Sequence, residues 1–261
     1  MEAGCLMAVY AIFETIMTRA LAIILFLSCL SIDLNAQVSP ANPIEKRGFY
    51  RTMNMYGGFL HTRGVGAYYR RGWRQTGYVN KIYNVEFLNV NHPKQFKIET
   101  VIGSQGYFEG KINSVFFLRN SFGWQKTWYD KEVKRGVRVS SFFLFGPTIG
   151  LAKPIYMNVT YTETGAEATE RYDYDKHSTQ TIIRGRAPFL IGIDETNIYP
   201  GLHVKMALNF EYSADDENIR SLETGFNFDA FPSRIPIMAA TYNDQFYLTL
   251  YIALHLGKRY L

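Results

Sequence analysis

The chain has 261 residues and a net charge of +5, with 19 Tyr, 19 Phe and only 20% charged residues. This content of large apolar residues excludes a wholly disordered chain, and a mean hydropathy of −0.13 excludes a bundle of membrane-spanning helices. Because Tyr and Phe favour strands, the composition predicts a β-rich protein with one large domain or two small ones.

The N-terminal segment is predicted to be a secretory signal peptide. Its apolar stretch Ala20–Leu30 is too short to span a bilayer and long enough for the apolar region of a signal. Ala36 is the small residue that a signal peptidase requires before its cut, so we expect removal of residues 1–36, with residues 37–45 as a short lead-in. Met17, followed by Arg19, is predicted to be the true start of translation.

Removal of this segment would change the number of cysteines and the net charge of the chain. Both cysteines, Cys5 and Cys29, lie in it, so the mature chain would have no disulfide, no thiol nucleophile and no Cys-ligated zinc. The segment holds one of the 28 basic and three of the 23 acidic residues, which leaves 27 against 20 and a net charge of +7. Export and a basic balance favour contact with anionic lipid, glycan or an acidic partner, and disfavour nucleic acid.

Segments that alternate apolar and polar residues follow one another along the mature chain. In the clearest, Gln245–Leu256, six apolar side chains share one face of a predicted strand. At about 10–14 residues, such segments exceed most soluble strands and match tilted membrane-spanning strands. The other segments are Tyr83–Phe87, Ile112–Gln125, Val137–Phe145, Leu202–Tyr212 and Ile219–Ala230.

The connections between these segments alternate in length, as in bacterial barrels with short periplasmic turns and long outer loops. An even strand number then requires a first strand at Lys46–Tyr56, with Gly57-Gly58 as its turn and the second strand starting near Phe59. We predict an all-β, antiparallel up-and-down transmembrane barrel over residues 46–261, with eight strands, or ten if Ile155–Tyr161 adds a hairpin. The short connections are Arg71–Gly77, Lys131–Gly136 and Ala214–Asn218, and the long ones are Asn91–Gly110, Ala152–Pro200 and Pro232–Asn243.

Charged residues in the middle of the polar faces would point into the barrel, whose interior side chains are expected to fill. Opposite charges can pair in that low dielectric, so we interpret them as a structural network, with a narrow ion path as the alternative. The residues of this predicted network are Glu86, Arg119, Arg138, Lys205, Glu211, Glu223 and Asp229.

Aromatic and basic residues gather beside the short connections. The aromatic ones match the belt at a membrane interface. The basic ones are either turn charges near phospholipid headgroups or a docking face for a periplasmic partner. The predicted belt contains Trp73, Trp124 and Trp128, joined by Tyr68, Tyr69, Tyr78, Tyr129 and Tyr212. The candidates for the docking face are Arg70, Arg71, Arg74, Lys131, Lys134 and Arg135.

Five segments of the chain have a familiar sequence. They are the Ala36-Gln37 junction, HTRGVGAYYRRG at His61–Gly72, NHPK at Asn91–Lys94, GKINSVFFLR at Gly110–Arg119 and PGLHVKMALNFEYS at Pro200–Ser213. In these segments, and over nearly all of its mature length, the chain resembles small outer-membrane β-barrels of the Bacteroidota. The resemblance implies insertion by the barrel-assembly machinery and, for some members, an accessory role in type 9 secretion and gliding systems. The C-terminus departs from the usual final aromatic residue, since Leu261 follows Tyr260.

No catalytic residue, cofactor or metal site is predicted. The histidines show no helical metal spacing and no HExxH motif. Asp173, Asp175 and His177 could bind a divalent ion, but a solvated polar loop explains them better, and Ser178 beside His177 is not a triad. The apolar septet Ala187–Ile193 must be buried, either in the barrel mouth, in its own hairpin or against a partner.

The functional hypothesis from the sequence is a non-enzymatic outer-membrane barrel that anchors or assists a cell-envelope assembly, in contact with outer-membrane lipid. One alternative is passive transport of a small solute. The other is an enzyme that hydrolyses outer-membrane lipid.

Overall fold

The computed structural model describes residues 50–95, 97–98, 106–131, 136–162, 164–174, 176, 181–213, 217–239 and 241–261. The predicted signal peptide and lead-in lie outside these residues, as do Lys134, Arg135, Asp175, His177 and Ser178. In the described part of the chain, no helix is both long enough and apolar enough to cross a membrane.

The described residues form strands in the following order along the chain. They are β1 (Thr52–His61), β2 (Gly64–Arg74), β3 (Val79–Val90), β4 (Lys97–Ile98), β5 (Tyr107–Phe108), β6 (Asn113–Tyr129), β7 (Arg138–Pro154), β8 (Tyr156–Tyr161), β9 (Glu167–Arg171), β10 (Thr181–Arg186), β11 (Asn197–Glu211), β12 (Asn218–Ala230) and β13 (Phe246–Tyr260).

Eight of these strands form a closed antiparallel barrel in the order β1-β2-β3-β6-β7-β11-β12-β13. The first and last strands close it, from Thr52 opposite Tyr260 to His61 opposite Tyr251. The predicted eight-stranded up-and-down barrel is therefore confirmed. Closure satisfies the backbone groups that would otherwise be exposed at two sheet edges.

Two small sheets lie outside the barrel. Strands β8, β9 and β10 form a three-stranded sheet with β8 in the middle, and β4 pairs with β5. The ten-strand alternative is wrong, because β8 pairs with β9 and β10 and not with a barrel strand. The three-stranded sheet has its own small core of Ile155, Met157, Val159, Tyr172 and Ile183.

The first hairpin differs from the prediction. Gly57 and Gly58 lie inside β1, and the turn to β2 is at Thr62-Arg63, so the second strand starts at Gly64 and not near Phe59. A Cβ at position 57 would lie 1.9 Å from the backbone oxygen of Leu254 on the neighbouring strand. The glycine thus permits a close approach of two strands, a role that a sequence cannot distinguish from a turn.

The two ends of the barrel differ in their connections. At one end, here named the short-turn end, the connections β2–β3, β6–β7 and β11–β12 are short, and β1 begins and β13 ends there. The opposite, long-loop end carries the connections β3–β6, β7–β11 and β12–β13, which are long as predicted. Its fourth connection, β1–β2, has only two residues.

The connection between β12 and β13, residues 231–245, covers the barrel interior at the long-loop end and is named the plug loop. Its side chains Phe231, Ile235 and Ile237 are buried in the same apolar cluster as the lumen residues Phe117 and Tyr247. The loop is tied to the rim, because the Asn113 side chain donates to the oxygen of residue 236 at 2.7 Å. Part of the apolar core of the barrel therefore lies beneath the plug loop.

Candidate functional site

The barrel has an apolar outside and a polar inside. On β13, the outward side chains from Phe246 to Leu256 are 50% to 62% exposed, whereas the inward ones, such as Thr249 and His255, are buried. This arrangement is the reverse of a water-soluble barrel, whose apolar side chains turn inward. It suits a barrel whose outer surface contacts hydrocarbon.

Six buried ionisable residues fill the middle of the lumen, and each is at most 1% exposed. Three are cations and three are carboxylates, so their formal charges cancel. Salt bridges of 2.6–3.3 Å connect all six. This set is named the lumen network, and its members are Arg70, Glu86, Arg119, Lys205, Glu223 and Asp229.

Glu223 on β12 is one centre of the lumen network. The Arg70 guanidinium donates to both of its oxygens, at 2.6 and 3.1 Å, and the Lys205 ammonium lies 3.3 Å away. The Tyr251 hydroxyl donates to Glu223 at 2.6 Å, and a ring nitrogen of His255 lies 3.1 Å from it. A carboxylate with this many donors is held in a single position.

Arg119 on β6 is the second centre. It donates to both oxygens of Asp229, at 2.9 and 2.6 Å, and to Glu86 at 3.1 Å. Lys205 donates to the other oxygen of Glu86 at 2.6 Å, which joins the two centres. Bidentate arginine–carboxylate pairs are among the strong hydrogen bonds of proteins, and here two of them link the three strands β2, β6 and β12 across the interior.

A second ionic layer closes the short-turn end around Glu211. Its carboxylate accepts from Arg259 at 2.5 Å and from Lys131 at 3.1 Å, and Arg138 lies 3.4 Å away. Arg138 also donates to Asp130 at 2.6 Å. Two members of the predicted interior network, Arg138 and Glu211, thus lie in this separate layer, whereas the other five belong to the lumen network.

The predicted docking face is wrong for two of its members. Arg70 is fully buried in the lumen network, and Lys131 points inward to Glu211 and Ser213. Arg71 and Arg74 are exposed, and the Arg71 guanidinium lies 5.5 Å from the centre of the Trp73 ring. Strand alternation explains the correction, because Arg70 and Arg71 face opposite sides of β2.

The aromatic residues near the short turns lie mostly on the outer surface. Trp73, Trp124 and Trp128 are exposed there, as are Tyr69, Tyr78, Tyr129 and Tyr212. Tyr68 is the exception and was wrongly predicted to belong to the belt. Its side chain is buried in the lumen, where its hydroxyl is hydrogen-bonded to His255.

Three buried or half-buried cations lie together at the long-loop rim, and no part of the sequence analysis identified them. Lys111 donates to Asn91 at 3.3 Å, Lys153 donates to the oxygen of Ile191 at 2.7 Å, and Arg186 donates to Ser114 at 3.1 Å. Among the described residues, none of the three forms an ion pair with a carboxylate. They are named the rim cluster: Lys111, Lys153 and Arg186.

The electrostatics of the rim cluster are unfavourable. Burial, followed by repulsion from Arg186, lowers the pKa of Lys111 from 10.5 to about 8, and burial lowers the pKa of Arg186. Burial without a nearby opposite charge disfavours the protonated, charged form of a basic side chain. This chemistry suits an anion that comes from outside the described protein.

The apolar segment Ala187–Ile193, named the wedge segment, does not enter the barrel mouth. Phe189 packs edge-on against Phe116 on the outer wall of β6, with ring centres 5.9 Å apart, and Phe116 stacks on Phe87 at 5.6 Å. Leu190 is 73% exposed. The wedge segment therefore extends the apolar outer surface of the barrel beyond the strands.

No metal site is seen in the described residues, since no three His, Cys, Asp or Glu side chains there are grouped to hold an ion. Of the candidate cluster Asp173, Asp175 and His177, only Asp173 is described, and it is exposed. The candidate pair Ser178 and His177 lies outside the described residues. The hydrolase alternative thus remains a prediction from sequence.

Comparison with known proteins shows similarity of fold alone. No protein-family model matches the chain, and no curated protein matches it. The solved structures that resemble it over nearly their full lengths include three proteins. The first is Ail, the attachment invasion locus protein of Yersinia pestis, which is 10% identical, with 81% of this chain and 99% of that chain covered and a TM-score of 0.39. The second is Neisserial surface protein A, which is 6% identical, with 81% of this chain and 96% of that chain covered and a TM-score of 0.38. The third is the N-terminal β-barrel domain of OprF of Pseudomonas aeruginosa, which is 7% identical, with 80% of this chain and 98% of that chain covered and a TM-score of 0.31. The resemblance to Bacteroidota barrels stays a prediction.

Proposed function

We propose that the protein is an integral outer-membrane β-barrel with a closed lumen, which serves as a non-enzymatic anchor in the cell envelope. The observation that carries this proposal is the reversed polarity of the barrel. Rows of exposed Leu, Ile and Phe cover its outer surface, while six buried charges compensate one another inside. Such a surface is stable in hydrocarbon and would aggregate in water.

The proposed orientation follows from the connections and the aromatic residues. Short turns are periplasmic in bacterial barrels, so the short-turn end faces the periplasm and the long-loop end faces outward. Trp73, Trp124 and Trp128 then lie at the periplasmic interface, with Arg71 and Arg74 beside the headgroups. Export depends on the predicted signal peptide, and insertion depends on the assembly machinery for barrels.

The filled lumen argues against the passive-channel alternative. The lumen network crosses the middle of the barrel, the Glu211 layer closes the short-turn end, and the plug loop covers the long-loop end. An eight-stranded barrel is just wide enough for its interior side chains. We therefore expect no conductance when purified protein is added to planar bilayers, and stable single-channel steps would contradict the closed lumen.

The anchor proposal assigns the contact with other envelope proteins to the three-stranded sheet of β8, β9 and β10, which lies outside the barrel. Chemical crosslinking in cells, followed by purification in mild detergent, should recover a partner. A barrel recovered alone under several crosslinkers would contradict an accessory role in an assembly and leave membrane integration intact.

Membrane integration has a simple test. Barrels of this kind keep their fold in cold SDS, so heated and unheated samples are expected to migrate differently on gels, and the protein is expected in the detergent-extracted membrane fraction. A chain that is monomeric and soluble in buffer without detergent would overturn the proposed function.

A further inference from the structure

The wedge segment presents a large apolar surface, of which the described residues cover only a part. Phe189, Leu190, Ile191 and Ile193 are between 38% and 73% exposed. Four such side chains within five positions exceed the scattered apolar residues that are normal on protein surfaces. Something apolar is expected to cover them.

The position of the wedge segment along the barrel identifies this cover. Its contact residue Phe116 lies twelve positions before Trp128 on β6. At about 3.3 Å per residue and a tilt of about 40°, twelve positions span about 30 Å along the barrel axis. The hydrocarbon core of a bilayer is also about 30 Å thick. With Trp128 at one interface, Phe116 and Phe189 therefore lie at the opposite interface.

The wedge segment is also held in place by the residues behind it. Lys153 donates to the oxygen of Ile191 at 2.7 Å, and the Ala187 amide donates to the oxygen of Tyr156 at 2.9 Å. Gly192 has a φ of +76° and packs against the ring of Tyr156, where a Cβ would lie 2.3 Å from a ring carbon. The apolar side chains are thus presented outward by a structured loop.

Charge at the same level of the barrel fits a membrane surface. Arg186 directly precedes the wedge segment, and Lys153 supports it from β7. Neither cation pairs with a carboxylate among the described residues. Phosphate groups of lipid headgroups lie at this level and carry the charge that the rim cluster lacks.

We propose that the wedge segment inserts into the outer leaflet beside the barrel, with the half-buried Arg186 of the rim cluster against headgroup phosphates, so that the sheet β8–β10 is held at the membrane surface. This inference rests on the proposed function, since it requires the barrel to be in a membrane. It adds a lipid-binding element outside the barrel wall. Continuity of Phe189 with the outer-wall residues Phe116 and Phe87 is the main support.

Fluorescence quenching tests the insertion. In full-length protein with Cys5 and Cys29 replaced by Ser, an NBD probe is attached after Leu190→Cys, Leu250→Cys or Thr164→Cys. The protein is reconstituted in phosphatidylcholine–phosphatidylglycerol vesicles. Position 250 lies in the middle of the outer surface of β13, and position 164 lies in the exposed turn between β8 and β9.

Lipids with a shallow doxyl group should quench the probe at 190 at least threefold more than the probe at 164, while iodide should quench mainly at 164. Quenching by doxyl lipid at 250 but not at 190 would overturn the inference and leave the proposed function standing. Loss of lipid quenching at both 190 and 250 would overturn the proposed function itself. Protection at 190 from both quenchers would indicate a protein cover and would also overturn the inference.

A second set of variants tests the contact between Arg186 and the lipid headgroups. Arg186→Gln should at least halve the shallow-doxyl quenching at position 190 in vesicles that contain phosphatidylglycerol, and Arg186→Lys should restore it. Arg184→Gln is the matched control on the same strand, because Arg184 pairs with Glu167 and lies outside the rim cluster. Equal quenching at position 190 in the three variants and in the protein with Arg186 and Arg184 intact would show that headgroup phosphates do not bind at Arg186.

Discussion

The lumen network and the rim cluster each contain three cations, but among the described residues only those of the lumen network pair with carboxylates. In the lumen, Arg70, Arg119 and Lys205 face three carboxylates at salt-bridge distance. At the rim, Lys111, Lys153 and Arg186 face hydroxyl, amide and carbonyl oxygens. Both sets are largely withdrawn from water.

This difference follows from what surrounds each set. A charge deep inside the barrel can reach only other side chains, so each cation there needs a protein carboxylate. A charge at the rim can be compensated by a group outside the protein. The balanced set therefore stabilises the fold, and the unbalanced set is suited to binding.

The largest effect is expected from removal of one carboxylate of the balanced set. Glu223→Gln removes the carboxylate that pairs with Arg70 and leaves Lys205 with Glu86 alone, and should reduce the free energy of unfolding by roughly 3–5 kcal/mol. Urea titration of the barrel in detergent micelles measures it. The matched control is Glu217→Gln, since Glu217 forms an exposed pair with Lys258 at 2.7 Å and should change stability little. Equal effects of both changes would refute a balanced network.

The next effect concerns the plug loop, which covers the barrel interior at the long-loop end. The Asn243 side chain accepts from the amides of Ile237 and Met238, at 2.8 and 3.0 Å, and donates to the oxygen of Met238 at 2.9 Å. Asn243→Ala should lower the free energy of opening of the plug loop by roughly 1–3 kcal/mol, because these backbone groups lose their partner. Faster hydrogen exchange of the Ile237 and Met238 amides would measure this loss. Asn158→Ala in the exposed sheet is the control, and unchanged exchange in both proteins would contradict the proposed role of Asn243.

A smaller effect is expected at the loop that carries the wedge segment. Gly192→Ala places a side chain at a φ of +76° and against Tyr156, so the segment should lose protection of its amides in hydrogen exchange. The left-handed backbone conformation alone should lower the stability of the segment by about 1–2 kcal/mol when an alanine adopts it. Gly165→Ala separates strain from contact, because Gly165 has a φ of +68° and nothing within 4 Å of a Cβ. Equal loss of protection in both proteins would show that the Tyr156 contact contributes nothing.

The smallest effect is a pH dependence of the unbalanced set. The folded protein lowers the pKa of Lys111 from 10.5 to about 8, mainly through burial. The unfolded chain therefore binds the proton more tightly between these values, and this residue's contribution to stability should rise from pH 8 to 10.5.

NMR titration of the lysine Cε signal measures this pKa. Arg186→Gln should raise the pKa of Lys111, since it removes a repelling charge, and Arg184→Gln should not. A pKa of Lys111 that is unaffected by Arg186→Gln would show that the rim cations do not interact.

The closed barrel was predictable because strand alternation is a local property of the chain. The pattern of Gln245–Leu256 places Leu250 outside and Tyr251 inside without knowledge of any other strand. The same alternation places Glu86, Arg119, Lys205, Glu223 and Asp229 on inward faces. It could also have placed Arg70 inside, because Trp73 faces outward and every odd position of β2 faces the same way.

The class of fold and the polarity of each strand face can be predicted from the amino-acid sequence, because both depend on a repeat of two residues along one strand. The pairing of the charges, the close approach of two strands at Gly57 and the position of the wedge segment on the outer wall emerge only when the chain is folded. These features depend on residues far apart in the chain, such as Arg70 and Glu223, which become neighbours only when β2 and β12 are brought into one closed barrel.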